Sequence, residues 1–240
     1  MRVDVLGVKI DKTNILDAVE RAMSLMEERR AAMIVAPDAE MIMRARASRQ
    51  FRATLNYADV VLPSGEGILL ASRILGTVIS ERVDGLDFAR ALLARMSDTG
   101  KSVFLYGAWS GVAEAAAKNI RKRYPGIVIA GTNEGHFSSD DDVIAKINAA
   151  RPDFLIVCLG SPKQEHWMYE CQPELDVGVM AGLGSAIDIM SGYEQPTPRR
   201  WRELGLEWLY RFIKKPKRFR RTVKLPLMIL AALWRRLTGR

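Results

Sequence analysis

Short runs of apolar residues alternate with longer amphipathic segments along most of the chain. Apolar runs of roughly four to eight residues are typical of buried β-strands, and the segments between them have the length of helices. Strands separated by helices predict βαβ units, and therefore a Rossmann-like α/β fold with a mostly parallel sheet flanked by helices. The predicted strands are VDVLGVKI, AAMIVA, DVVLP, KSVFLYGA, IVIAGT, DFLIVCLG and VGVMAGLG.

The predicted helices lie between these runs, for example from Ile15 to about Arg30 and from Ala39 through Arg52. The run DFLIVCLG is the clearest central strand, because it is apolar on both faces as a parallel sheet requires. Cys158 lies inside this run, so it is predicted to be a small core residue and not a nucleophile.

Charge is distributed unevenly and divides the chain. The net charge is +8, but residues 199–240 carry fourteen Lys and Arg against two acidic residues, a net +12, which leaves −4 for residues 1–198. The composition changes at the sequence QPTP, residues 195–198. We therefore predict an α/β domain over residues 1–195 and a basic helical appendage over residues 196–240.

Several classes of protein are not indicated by the composition. The amino terminus lacks the long apolar core of a signal peptide, and no run of eighteen apolar residues predicts a transmembrane helix. The two histidines and two cysteines do not have zinc-site spacing, so neither a metal nor a cofactor is expected. The basic residues lack the aromatic interleaving of a nucleic-acid-binding module, so no nucleic acid is expected.

The appendage ends in an apolar run flanked by basic residues, LPLMILAALW with RR after it. Such a segment suits insertion into the headgroup layer of an anionic membrane, as a peripheral contact. The alternative is a core or dimer helix with a solvated basic side. The residues predicted to contact the membrane are Lys224, Leu227, Ile229, Leu230, Trp234, Arg235 and Arg236.

Candidate chemistry lies where the predicted strands end. The segments APDAE, PSGEG, YGAWSG and GSPKQE each follow a strand, and in parallel sheets such turns hold ligands at helix N-termini. Glycines there, such as Gly65 and Gly107, let the backbone approach a phosphate, although tight turns alone also require glycine. Neither the dinucleotide fingerprint nor the phosphate-loop motif is present.

Two charged motifs complete the set of candidates. Arg82, at the end of a loop before a predicted helix, could donate two parallel hydrogen bonds to a diphosphate, although a solvated surface arginine is the simpler interpretation. The acidic run 140–142 precedes a helical segment, so we predict that it stabilises the helix dipole and does not bind a metal.

In their order along the chain, these motifs resemble the WecG/TagA/CpsF family of glycosyltransferases. The resemblance covers nearly the whole chain, and the most specific stretches are YADVVLPSGEGILLASR, ERVDGLDF, YPGIVIAGTNEGHF, RPDFLIVCLGSPKQEHWM and GLEWLYRFIKKPKRFRR. It implies a GT-E type fold and an inverting, metal-independent transfer of a sugar from a UDP-sugar to a saccharide on polyprenyl diphosphate. It also implies a basic appendage that docks on the membrane and completes the active site.

The resemblance assigns roles to individual residues of this chain. Arg82 matches an arginine near the donor pocket, and Gln164 matches the glutamine of that pocket. Glu165, the next residue, is also expected to bind the substrate. Without a metal, arginines and helix N-termini must stabilise the charge of the departing UDP. Three appendage residues match arginines proposed to reach the diphosphate: Arg211, Arg218 and Arg221.

One departure bears directly on catalysis. Ser64 stands where relatives carry the aspartate proposed as catalytic base, and serine cannot serve as that base. We hypothesise that Glu66, in the same turn, or Asp38, at a neighbouring strand end, supplies the carboxylate. The donor is then an N-acetylmannosamine-type sugar or glucose, the latter for exopolysaccharide of the cell envelope.

Three functions remain open at this point. The first is the transferase, acting at the cytoplasmic face of the cell membrane. The second is a catalytically silent protein that binds nucleotide sugars or lipid diphosphates, and the third is a basic membrane adaptor without a ligand pocket. The oligomeric state is also open, with association through the sheet domain as one alternative.

Overall fold

The computed structural model describes residues 1–135, 139–198, 200–201, 209–210 and 224–238. Within these ranges lies a six-stranded sheet in which every neighbouring pair of strands is parallel, with the strand order β4-β3-β8-β7-β5-β6. The predicted α/β fold with a parallel sheet is therefore confirmed. The strands are β3 (Ala32–Val35), β4 (Val60–Val61), β5 (Ser102–Gly107), β6 (Val128–Asn133), β7 (Phe154–Cys158) and β8 (Val179–Gly182).

The prediction of one strand over VDVLGVKI is wrong. This segment forms an antiparallel hairpin, β1 (Arg2–Val5) and β2 (Val8–Asp11), outside the six-stranded sheet. Leu6 and Gly7 make the turn with φ of 54° and 95°, the left-handed conformation that two-residue hairpin turns require. The apolar pattern continues through the turn, so only Gly7 marks the reversal of the chain.

Helices cover both faces of the sheet and join its strands. They are α1 (Ile15–Glu28), α2 (Ala39–Ala47), α3 (Arg49–Tyr57), α4 (Glu66–Ile74), α5 (Gly85–Ser97), α6 (Val112–Arg123), α7 (Asp140–Ala150), α8 (Lys163–Cys171), α9 (Ala186–Ser191) and a C-terminal helix (Lys224–Thr238), with one turn of 3₁₀ helix at Gln172–Glu174. The acidic run 140–142 forms the first turn of α7, as predicted, and the structure shows that Ser139 caps this helix.

The prediction of a single helix from Ala39 through Arg52 is also wrong. Ser48 has extended backbone angles, φ −122° and ψ 114°, which end α2 and begin α3. Its hydroxyl oxygen accepts a hydrogen bond from the backbone N–H of Phe51 at 3.2 Å, a standard N-cap. A serine that caps a second helix breaks the first, and the hydrophobic periodicity does not reveal this.

The core consists of two apolar layers separated by the sheet. Alternate residues of β3 face opposite layers: Met33 and Val35 pack with α2, α3 and α8, whereas Ala32 and Ile34 pack with α1, α5 and α6. Cys158 is buried, and burial raises the pKa of its thiol to about 12. The prediction that it is a core residue is therefore confirmed.

The C-terminal helix packs on the α/β core, against α2 and α4. Met228, Ala231 and Ala232 are buried there, in the same apolar layer as Met33 and Val35 of β3. A Cβ atom at Gly67 would collide with the side-chain ends of Leu225 and Met228, so the glycine allows this close approach. None of the described helices is both long and apolar enough to cross a membrane.

Candidate functional site

The turns that follow β3, β4, β5, β7 and β8 lie at one edge of the sheet, which we call the carboxyl edge. All these strands are parallel, so their carboxyl ends point the same way, and β8 lies between β3 and β7. The turns of β3 and β4 touch: a Cβ atom at Gly65 would lie 3.7 Å from Cα of Asp38. The strand-end segments singled out in the sequence therefore share one edge.

Arg82 lies beside the PSGEG turn. Its guanidinium Nη1 is 3.6 Å from Oε1 of Glu66, the first residue of α4. The Arg82 side chain is 16% exposed and that of Glu66 is 42% exposed. The loop is held in place by the neighbouring Val83, whose backbone N–H donates to the carbonyl oxygen of Pro63 at 3.0 Å. The structure thus brings a cation and the N-terminus of α4 together, an arrangement suited to binding an anion.

The two candidate carboxylates have different surroundings. Asp38 caps α2: its Oδ1 accepts a hydrogen bond from the backbone N–H of Met41 at 2.9 Å. Glu66 instead pairs with Arg82 and keeps much of its surface exposed. Ser64 is half-buried in the same turn as Glu66. All three predicted residues thus lie at the carboxyl edge, in the turns that follow β3 and β4.

Gln164 and Glu165 form a buried pair at the start of α8. The Gln164 amide nitrogen Nε2 donates to Oε1 of Glu165 at 2.6 Å, and its Oε1 accepts from the backbone N–H of Gly184 at 3.2 Å. Glu165 is 0% exposed. Burial raises the pKa of its carboxyl group to about 7, and the nearby Asp38 adds to this effect, while the hydrogen bond from Gln164 opposes it.

The depth of Glu165 was not foreseen from the sequence, which predicted only a substrate contact. The signal was present in the pattern of α8, since Gln164, Glu165, Met168 and Cys171 share the spacing of one buried helix face. Two polar residues on the apolar face of a helix indicate a buried polar contact, and here that contact lies at the carboxyl edge.

Gly107 has a structural reason to be glycine. Its φ is 125°, and a Cβ atom there would collide with the backbone carbonyl group of Cys158. Close packing of the paired last residues of β5 and β7 therefore suffices to explain this glycine. Among the described residues, no group of three or more His, Cys, Asp or Glu side chains is arranged to hold a metal ion. Arg211, Arg218 and Arg221 lie outside the described residues.

Comparison with known proteins identifies relatives over nearly the whole chain. The model of the "Glycosyl transferase WecG/TagA/CpsF family" matches residues 3–240. A protein of Bacillus spizizenii strain W23 is 32% identical over 208 residues, which are 87% of this chain and 81% of that protein. One of Staphylococcus aureus strain MW2 is 29% identical over 231 residues, 95% of this chain and 91% of that protein. Both are named N-acetylglucosaminyldiphosphoundecaprenol N-acetyl-beta-D-mannosaminyltransferase.

Proposed function

The chain belongs to the WecG/TagA/CpsF family and is a glycosyltransferase, and we propose that it moves a sugar from a UDP-sugar to a saccharide on polyprenyl diphosphate. The observation that carries this proposal is the carboxyl edge, where Arg82 and the N-terminus of α4 face the same turn. Departing UDP gains negative charge in the transfer, and a cation with a helix N-terminus stabilises such charge.

The names of the relatives support a specific acceptor and donor. The acceptor we propose is N-acetylglucosamine on undecaprenyl diphosphate, and the donor carries an N-acetylmannosamine-type sugar, with glucose as the alternative. Release of UDP is the measurement that tests this. Purified enzyme is mixed with this acceptor and either UDP-N-acetylmannosamine or UDP-glucose. We expect UDP release that requires acceptor, and no release from any UDP-sugar refutes the proposal.

The base that deprotonates the acceptor hydroxyl is proposed to be Glu66 or Asp38. Ser64 cannot take this role, and these are the carboxylates of the same pair of turns. Asp38→Asn is a clean probe because asparagine caps helices as well as aspartate does. Glu66→Gln keeps the size of the side chain. We expect one of the two variants to lose about a hundredfold in kcat. A wild-type kcat in both variants would exclude Glu66 and Asp38 as the base.

The second candidate function is a catalytically silent binding protein of the same assembly process. The observation that favours it is Ser64 at the position of the expected base. Such a protein binds UDP or the lipid-linked diphosphate but releases no UDP from any donor. Calorimetric titration of UDP, run beside the release assay, separates the two functions, because only the transferase shows both binding and turnover.

Contact with the membrane surface is proposed for residues 196–240 at its cytoplasmic face. The C-terminal helix buries one side on the core, and Leu230 and Trp234 on its other side are 61% and 65% exposed. Leu227, Leu233 and Leu237 extend this exposed apolar face. Of the basic residues predicted to contact lipid, Arg235 is paired with Asp4 at 2.6 Å, and Arg236 lies against Gly76.

Co-sedimentation with vesicles tests this contact. Leu230→Ser and Trp234→Ser together remove apolar surface that a headgroup layer would bury, so we expect binding to phosphatidylglycerol vesicles to fall about tenfold. The matched control is Leu16→Ser, since Leu16 is 73% exposed on α1, away from this helix. Equal binding by the double variant and the wild type would refute the assignment.

A further inference from the structure

The carboxyl group of Glu165 is unusual because a titratable group is rarely buried so completely. It is fully buried, yet only one of its oxygens has a hydrogen-bond partner within the described ranges, the Gln164 amide at 2.6 Å. The hydroxyl of Ser161 and the backbone N–H of Glu165 also lie close enough to lower the pKa of the carboxyl group, but neither makes a hydrogen bond to its second oxygen. A buried carboxyl group with so few partners destabilises the fold, and a methionine or leucine of similar volume would pack there more favourably.

The pair of contacts to Gln164 permits one orientation of its amide. The oxygen accepts from the Gly184 N–H, and the nitrogen donates to Glu165. If the amide turned over, its oxygen would face the carboxylate and its NH₂ group would face another N–H, so both hydrogen bonds would be lost. A primary amide nitrogen carries two hydrogens, and Glu165 takes one. The second N–H remains as a donor of fixed direction.

The place of this amide is set by the sheet. Gln164 follows β7 and Gly184 follows β8, the strand between β7 and β3, so the amide bridges two neighbouring turns of the carboxyl edge. Gly182 leaves space for it and for the end of the Met168 side chain: a Cβ atom there would lie 2.7 Å from Cε of Met168 and 3.0 Å from the Gln164 nitrogen. α8 also contacts β3, the strand that the Asp38 turn follows.

We propose that Glu165 is a positioning residue for sugar transfer, holding the Gln164 amide so that its second N–H donates to the UDP-sugar. This inference rests on the proposed function, since it needs a donor substrate at the carboxyl edge. Glu165 itself does not touch the substrate and acts through Gln164. Gly182 assists by leaving room for the amide.

Stability and activity are expected to move in opposite directions when Glu165 is replaced. Glu165→Met removes a buried ionisable group, so the Tm at pH 8 should rise, while kcat/KM for the donor should fall about tenfold, the value of one hydrogen bond. Glu165→Gln keeps an acceptor for the amide and should retain more activity than Glu165→Met. A residue with only a structural role would lose or keep Tm and kcat/KM together.

Gly182→Ala provides a second test, because the added Cβ crowds the amide as well as the Met168 side chain without changing any charge. It should lower kcat/KM for the donor with little effect on the KM of the acceptor. Calorimetric titration of UDP completes the design: we expect about tenfold weaker binding to Glu165→Met than to wild type. Wild-type kcat/KM and UDP affinity in Glu165→Met overturn the inference. UDP binding without transfer in the wild type refutes the proposed function instead, and the UDP affinities then still decide the role of Glu165.

Discussion

Replacing Glu165 by glutamine should change how the stability of the protein depends on pH. In the folded protein burial raises the pKa of this carboxyl group from 4.5 to about 7. Between these values the folded state binds more protons than the unfolded state, so the free energy of unfolding falls as pH rises. Since one pH unit is worth about 1.4 kcal/mol, ionising Glu165 costs the folded state about 3 kcal/mol above pH 7.

Urea denaturation at pH 5 to pH 8 measures this effect. Wild type should lose stability over this range, and Glu165→Gln, which has no proton to lose, should lose roughly 2 to 3 kcal/mol less. Glu170→Gln is the matched control, since Glu170 is exposed on the same helix. The same change in wild type and Glu165→Gln between pH 5 and pH 8 would contradict a raised pKa at Glu165.

Three further substitutions test separate parts of the structure. Arg82→Lys keeps the charge but not the planar fork, so kcat in the UDP-release assay should fall about a hundredfold, and unchanged kcat would contradict a diphosphate contact. Gly67→Leu should displace the C-terminal helix, so that limited proteolysis cuts within residues 224–238 sooner than in wild type; equal resistance would contradict this packing. Gly107→Ala should lower the free energy of unfolding by roughly 2 kcal/mol or more. Gly100→Ala, also at positive φ but with open space around it, should cost less, and equal losses would exclude the close approach to Cys158.

The parallel sheet and its carboxyl edge could be predicted because buried strands impose a strong pattern. The strands β3, β4, β7 and β8 are buried along their whole length, and the turns that follow parallel strands must lie at one edge. The sequence pattern alone therefore predicts that Asp38, Gly65 and Gln164 lie at the same edge of the sheet. The approach of Arg82 to Glu66 was not predictable in the same way, because it depends on the path of the loop before α5.

Other features depend on contacts that no local pattern specifies. The apolar pattern of β1 and β2 continues through the turn at Leu6 and Gly7. The sequence therefore predicts one strand where the structure has a hairpin. Gly67 resembles part of a phosphate-binding turn, yet its neighbours are Leu225 and Met228 of a helix far along the chain. The burial of Glu165 likewise follows from the packing of α8 on the sheet.

The proposed donor site requires that Arg82 and Gln164 bind the same UDP group. Calorimetric titration of UDP into the wild type, Arg82→Ala, Gln164→Ala and the distant control Arg123→Ala measures this directly. We expect each of the first two substitutions to weaken UDP binding about tenfold or more, and the control to bind like the wild type. UDP affinity that is unchanged in both Arg82→Ala and Gln164→Ala would contradict a donor site at the carboxyl edge.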